Sequence, residues 1–392
     1  MYYSQLALPL PQKNSTFYLL KLSYPLSITN MKNNKSISRR NFLATSGAAL
    51  AGSAFVSPRS TVQATVAPTS SVSSVLTQAS YKSKYPDIPI VDIHTHTSGA
   101  RDAANLLKVS ETIKQKYGSN LAFWIGLADL TETVEEVKAA CNNRMLFAVS
   151  EMRPHKGLTV TADEVIAKVR QGYVGLKFWY GAPFRVLEEG ERGIRMIDDV
   201  RFSELFDGLE RGNILLASAH IADRNEPFGD RKGFMTNPVE FWTHIRAFEN
   251  VLIKHPRLTV VAAHGCWLVL QDAQIDYLRY MLSTYPNLYI DLSATYQYIR
   301  FANPENLRDL YIEYQDRVLY GTDGGRVADN EIDRLADRYV NTFAILETDQ
   351  TVMGSFFDNK PIQGLNLPKE VLEKIYYKNA LKLYPGLKEA MK

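Results

Sequence analysis

Eight short apolar, β-branched runs, each followed by a stretch of helical periodicity, predict an α/β protein folded as a (β/α)8 TIM barrel. Histidines and an aspartate that close several of these runs predict one chemically active mouth, because a barrel gathers its strand ends in a ring. The length agrees: 392 residues of 45% hydrophobic composition accommodate a barrel of about 250 residues with extensions. A doubly wound sheet is the competing α/β architecture, and eight regular alternations favour closure.

The expected strands are Ile90–Ile93, Leu121–Leu127, Met145–Val149, Val174–Phe178, Ile214–Ala219, Thr259–Ala263, Leu288–Leu292 and Val318–Tyr320. Between them fall helices over Ala103–Lys116, Val134–Asn142, Ala162–Gln171 and Phe202–Arg211. Thr161 and Glu164 form a capping box for the third helix, and Gly212 stops the fourth. The later helices run Val239–Lys254, Gln274–Thr284, Glu305–Tyr314 and Glu331–Leu346.

The barrel is expected over residues 86–392, behind an N-terminal extension and leader over 1–64 and a flexible linker over 65–85. Residues 36–43 read SISRRNFL, and a small-residue apolar run, Ala44–Val56, follows. A twin-arginine pair ahead of such a run is the layout of a twin-arginine export signal, with Val62-Gln63-Ala64 suited to signal peptidase. The run is too short and too rich in Gly, Ala and Ser for a stable membrane span. Lys32 and Lys35 just after Met31 supply a charged n-region, so either Met1 or Met31 serves as the start in this reading. The chain is therefore expected to engage the export machinery and to reside in the periplasm.

The formal charge of +3 belongs to this leader, since residues 1–64 hold seven Lys/Arg and no acid, leaving 38 basic and 42 acidic residues. Nothing in that balance indicates a nucleic-acid partner. Cys141 and Cys266 stand far apart without metal-ligand spacing and are expected as buried free thiols.

In IVDIHTHTSGA, His94 and His96 are two apart at the end of the first strand, so on a regular strand both face one side and one cation can touch both. His220 ends the fifth strand in ILLASAHIAD, His264 the sixth in TVVAAHGCW, and Asp323 the eighth in VLYGTDGG. Four of the seven histidines thus fall at strand ends. His244, His255 and His155 are expected to be structural or loop residues, and Asp92 is expected to point away from the mouth.

The segments VDIHTH, VGLK, HIAD, HPRLTVVAAHG, YPNLYIDLSA, DRVLYGTDGG and IYYKNALKLYPG resemble the amidohydrolase superfamily over roughly residues 88–386. The resemblance is to the amidohydrolase-related branch that includes aminocarboxymuconate semialdehyde decarboxylase. It implies metal ligands at His94, His96, His220 and Asp323 and a catalytic histidine at His264, with Asp323 also catalytic. It also implies one divalent metal ion, Zn2+ in the first place, with Mn2+ or Fe2+ as alternatives. Lys177, ending the fourth strand, falls where some branches carry a carboxylated lysine that bridges a second metal.

The expected activity is that of a metal-dependent hydrolase attacking an ester, lactone or amide-like carbon of a small substrate, one bearing a carboxylate by the hint of several arginines. Trp179, Arg224, Tyr296 and Arg326 are substrate-binding candidates, with Tyr180, Arg185, Trp267 and Tyr298 behind them. A decarboxylase or hydratase of the same family is the alternative. A non-catalytic exported metal-binding protein is disfavoured by the presence of both Asp323 and His264, and assembly as a homo-oligomer is compatible with this reading.

The leader yields a direct test. Replacing Arg39 and Arg40 with lysine keeps the charge but removes the pair the export receptor reads. Fractionation should show the precursor retained in the cytoplasm, and undiminished periplasmic protein would contradict the assignment.

Overall fold

In the barrel strands one face meets the interior and the other meets the surrounding helices. In the computed structural model, which describes residues 75–76, 80–151, 160–180, 196–222, 238–353 and 360–392, all eight expected strands form. They are β1 Pro89–Thr95, β2 Asn120–Gly126, β3 as two segments at Met145–Phe147 and Val149–Glu151, and β4 Leu176–Trp179. β5 Leu216–His220, β6 Val260–Ala262, β7 Leu288–Asp291 and β8 Val318–Leu319 complete the set. Each pairs in parallel with the next. The two segments of β3 carry the pairing across from β2 to β4, as Ala148 N–H donates to Gly126 and Val149 N–H to Gly175. Between β8 and β1 the ring is joined by Ile93 N–H to the Tyr320 carbonyl at 3.1 Å, Asp323 N–H to the His94 carbonyl at 2.9 Å, and a parallel bridge from Thr95 to Gly324.

Eight helices cover the outside: α1 Ala100–Tyr117, α2 Val134–Ala140, α3 Ala162–Arg170, α4 Val200–Arg211, α5 Pro238–Lys254, α6 Asp272–Thr284, α7 Pro304–Glu313 and α8 Ile332–Glu347. The Thr161–Glu164 capping box starts α3, and Thr133 and Glu136 form a second one at α2. Gly212 follows α4 as its C-cap. Gly118, at a φ of 75°, ends α1 in the left-handed region that favours glycine. Among the described residues no helix is long and apolar enough to cross a membrane.

Two apolar layers result. Val91, Ile93, Phe123, Ile125, Val261 and Leu319 pack inside the ring, while the opposite strand faces pack on the helices. Tyr384 and Leu387 from the C-terminus join the inner cluster, and the Tyr384 hydroxyl donates to the Ala217 carbonyl at 2.8 Å. A plug of this kind closes one end of the barrel and leaves the other for chemistry. It is delivered by α9 Lys369–Glu373, a π-helical turn at Lys374–Lys378 and α10 Asn379–Leu383, where Asn379 Nδ2 donates to the Val318 carbonyl at 2.8 Å.

The linker reading needs correction. Val75–Leu76 pairs in parallel with Thr351–Val352, and Tyr81 is buried with its hydroxyl 2.8 Å from Glu347. Ser83 Oγ and the Tyr376 hydroxyl donate to the same carboxylate. Residues in the C-terminal part of 65–85 are thus anchored to the barrel, because apolar and hydroxyl side chains among the Ser/Thr residues find a buried acceptor. The leader itself, SISRRNFL and Ala44–Val56, lies outside the described residues. Cys141 and Cys266 are buried and free, as their spacing suggested.

Candidate metal centre

On β1 the strand alternation that aims Val91 and Ile93 inward is interrupted. Asp92, His94 and His96 have the same parity and would share one face of a regular strand. The pairing register with β2 shifts between Asp92 and Thr95. Below the shift, Asp92 turns to Thr322 and to Tyr339 on α8; above it, the His94 imidazole lies over the mouth against Asp291. Asp92 does point away from the mouth, but the irregularity separates it from His94, and simple alternation would not have done so. Its carboxylate accepts from the backbone N–H groups of His94 at 3.0 Å and Thr322 at 3.1 Å, so it ties the two strands that bear the site. Burial pushes its pKa up to about 6 against the hydrogen bonds from Thr322 and Tyr339.

His94, His96 and Asp323 come together above this tie. One ligand atom from each lies within 4.8 Å of the others. Asp323 Oδ1 is 2.8 Å from His96 Nε2 and 3.3 Å from His94 Nε2. Asp323 has a φ of 64°, a conformation uncommon for a residue with a Cβ, and its N–H bond to the His94 carbonyl helps to hold it there. Gly321 makes room for His94: a Cβ on it would stand 2.9 Å from His94 Cβ and 3.3 Å from Ser293 Cβ.

A second set of groups fixes which nitrogen each ring presents. His94 Nδ1 donates to Asp291 Oδ2 at 2.8 Å, leaving the Nε2 lone pair for the mouth. His264 Nδ1 donates to the Ser293 carbonyl at 2.9 Å, so Nε2 of the neutral ring accepts, and His220 Nδ1 lies 3.1 Å from it. With His220 Nδ1–H donating in that contact, the lone pair of the His220 ring lies on Nε2. Ser293 Oγ donates to Asp291 and lies 2.9 Å from Nδ1 of both His94 and His264. Trp267 lies against the His264 ring at 4.6 Å between centroids. His220 stands beside this cluster, outside the three-residue group that converges on Asp323.

The electrostatics favour a cation. Burial opposes ionisation of Asp323, yet the His94 and His96 rings beside it hold its carboxyl well below the usual range. Asp291 behaves likewise, burial being overcome by His94 and His264. Burial and the Lys177 ammonium resist protonation of His94, but Asp291 and Asp323 outweigh them and raise its pKa. Burial holds His96 below the usual histidine value and pushes His264 down to about 3, so both rings are neutral near pH 7. His96 Nδ1 is buried without a hydrogen-bond partner. The His94 and His96 imidazoles and the Asp323 carboxylate, facing one point, suit a divalent transition metal. Lys177 is 1% exposed, with Nζ 3.2 Å from His94 Nε2 and 3.0 Å from Ser218 Oγ. Burial pushes its pKa down to about 8 despite Asp323 and Asp291.

A cavity of about 710 Å³ opens beside these groups, lined by His96, Lys177, Trp179, His220, His264 and Asp323, with the turn after β8 and the start of α8 as its wall. Of the substrate-binding candidates, Trp179 and Arg326 line it. Tyr296 does not: it is buried against Tyr320, and its hydroxyl donates to the Gly321 carbonyl at 3.3 Å. Position after a strand alone did not distinguish a wall residue from a packed one. Tyr180 is likewise buried, among Phe178, Phe202 and His244. Arg224, Arg185 and His155 lie outside the described residues. His244 and His255 are buried away from the mouth, His255 beside Asp207. Sequence reasoning missed Asp291 and Ser293, although Asp291 ends β7 as Asp323 follows β8, and it missed Arg338, which reaches the cavity from α8.

The family model described as amidohydrolase matches residues 134–386, more than half of the chain. The protein therefore belongs to the amidohydrolase family. No curated protein sequence matches it. Among solved structures it is similar to an uncharacterised TIM-barrel protein from Bordetella bronchiseptica, with 16% identity over 78% of this chain and 100% of that one and a TM-score of 0.41. The dihydroorotase of Campylobacter jejuni is similar at 13% identity, 75% and 82% coverage and a TM-score of 0.42. An amidohydrolase from Burkholderia multivorans is similar at 13%, 75% and 98% coverage and 0.40.

The contact at Gly321 tests the arrangement. Gly321→Ala should displace His94 and weaken zinc binding on the order of 10- to 100-fold, the range typical of disturbed supporting residues. Overpacking should also lower stability by about 1–3 kcal/mol. A chelator-competition titration giving unchanged affinity would show that His94 is not held as described.

Proposed function

We propose that this amidohydrolase is a metal-dependent hydrolase acting on an ester, lactone or amide-like carbon of a small carboxylate-bearing substrate. The observation that carries the reading is the meeting of His94, His96 and Asp323 beside a cavity that His96 and Asp323 line. Their donors fit one divalent cation, zinc by preference of the imidazoles, with His220 Nε2 as a fourth ligand. Bound there, such an ion polarises a carbonyl and makes water a better nucleophile near pH 7.

The chain's own groups do the rest. Asp323, ionised in the site, accepts the proton from the attacking water and returns it to the leaving group. Asp291 orients the His94 ring, while His264, oriented by Ser293, holds His220. The resemblance implied a catalytic histidine at His264, and polarising the carbonyl would require a donor at its Nε2. With Nδ1–H on the Ser293 carbonyl and burial holding its pKa at about 3, the ring offers Nε2 as a hydrogen-bond acceptor to His220, so it serves as a positioning group. Lys177 remains an ammonium that hydrogen-bonds Ser218 in this reading, its contact with His94 Nε2 giving way to the metal, and the centre is mononuclear. The twin-arginine leader supports export of the folded enzyme to the periplasm.

Asp323→Asn keeps the shape and an oxygen but removes the base and a negative charge. Turnover of the metal-loaded enzyme, screened on lactones, esters and amides, should fall on the order of 10²–10⁴-fold with little change in thermal unfolding. About one metal per chain should be found in the wild type. Near-normal turnover in Asp323→Asn at full metal occupancy would remove Asp323 from its role, and CO2 release without a new carboxylate would replace the hydrolase with a lyase.

A further inference from the structure

The cavity is also lined by cationic side chains, and its arginines are not explained by metal binding. Arg326, Arg334 and Arg338 line it together with Lys177, against the carboxylates of Asp323, Glu331 and Asp337. Those carboxylates have partners of their own. Asp323 lies against His94 and His96, Glu331 pairs with Arg334 one turn away on α8, and Asp337 accepts the Tyr117 hydroxyl at 2.7 Å. Four cationic side chains thus meet three committed carboxylates before a metal adds its charge.

Two of these arginines flank the catalytic turn. Arg338 enters from α8, between Asp337 and the Asp92 anchor Tyr339, and its Nη2 donates to the Thr322 carbonyl at 3.2 Å, one residue before Asp323. The contact fixes the guanidinium beside the metal ligand. Arg326, exposed, lies three residues beyond Asp323 on the other side of the turn. A guanidinium presents its donors in a planar fork that matches a carboxylate or phosphate.

We infer that Arg338, with Arg326 at the rim, is the specificity-determining residue that holds an anionic oxygen group of the substrate, a carboxylate or a phosphate, beside the reacting carbon. The inference takes the cavity as the substrate site and in that respect rests on the proposed function; anion binding is read without turnover, so the two can fail separately. An anionic substrate would be oriented between arginine and metal, with Asp323 between them.

The test uses the zinc-loaded protein and calorimetric titration with succinate, inorganic phosphate and the neutral isostere succinamide. Succinate or phosphate should bind, succinamide should not, and competition between the two anions tells which oxygen group the wall prefers. Arg338→Gln should weaken anion binding on the order of 10- to 100-fold. Arg338→Lys, which keeps the charge and a donor for Thr322 but not the fork, should fall between, and Arg326→Gln should cost less. Zinc content of each variant is measured alongside, so loss of metal is separated from loss of the anion site. Equal affinity for succinate and succinamide, or wild-type anion affinity in Arg338→Gln, would overturn the inference. Absence of hydrolysis with intact, Arg338-dependent anion binding would instead count against the hydrolytic reading alone.

Discussion

The site depends on the seam between β1 and β8. The two strands that supply His94, His96 and Asp323 are the first and the last of the barrel, and nothing in the chain's order keeps them adjacent. Backbone bonds from Ile93 to Tyr320 and from Asp323 to His94 join them, and the buried Asp92 carboxylate accepts from both strands and from Tyr339 on α8. Removing one member of such a network leaves several buried donors unpaired, a cost of about 1–3 kcal/mol for each. The same seam explains the glycines of VLYGTDGG. Gly321 leaves the space that His94 occupies, and Gly325, at a φ of 109°, passes so close to His96 that a Cβ would stand 2.9 Å from its backbone nitrogen.

Above the seam, specificity of protonation is built by hydrogen bonds and not by the imidazoles themselves. Asp291 and the Ser293 carbonyl each take an Nδ1–H, so that His94 presents a lone pair to the mouth and His264 passes the orientation on to His220. Removing a supporting group therefore alters a ligand at a distance. In the proposed centre a cation would have to displace any proton on His94, so its affinity should weaken as pH falls through the raised pKa of that ring.

Much of this was legible in the sequence, for identifiable reasons. Strand existence follows from β-branched runs, and Thr161, Glu164 and Gly212 mark helix ends by local hydrogen bonding, so these features need no tertiary information. The strand-end positions of His94, His96, His220, His264 and Asp323 follow once closure is assumed. What was not legible depends on departures from regularity. The register shift that separates Asp92 from His94 has no signature in IVDIHTH, and strict alternation would place them together. Tyr296 and Trp179 occupy comparable positions after strands, yet one is spent on the Gly321 carbonyl and the other lines the cavity. Arg338 reaches the site from a helix in the outer layer, which no strand-end rule selects.

The central claim is that one cation sits where the first and last strands meet, held by two β1 imidazoles and Asp323. X-ray absorption of the zinc-loaded protein tests it most directly, compared between the wild type and His94→Ala. The account predicts a single shell of nitrogen and oxygen neighbours at about 2.0–2.1 Å, with imidazole scattering that declines in the variant. A sulfur neighbour, a second metal within about 4 Å, or a spectrum unchanged by loss of His94 would contradict it.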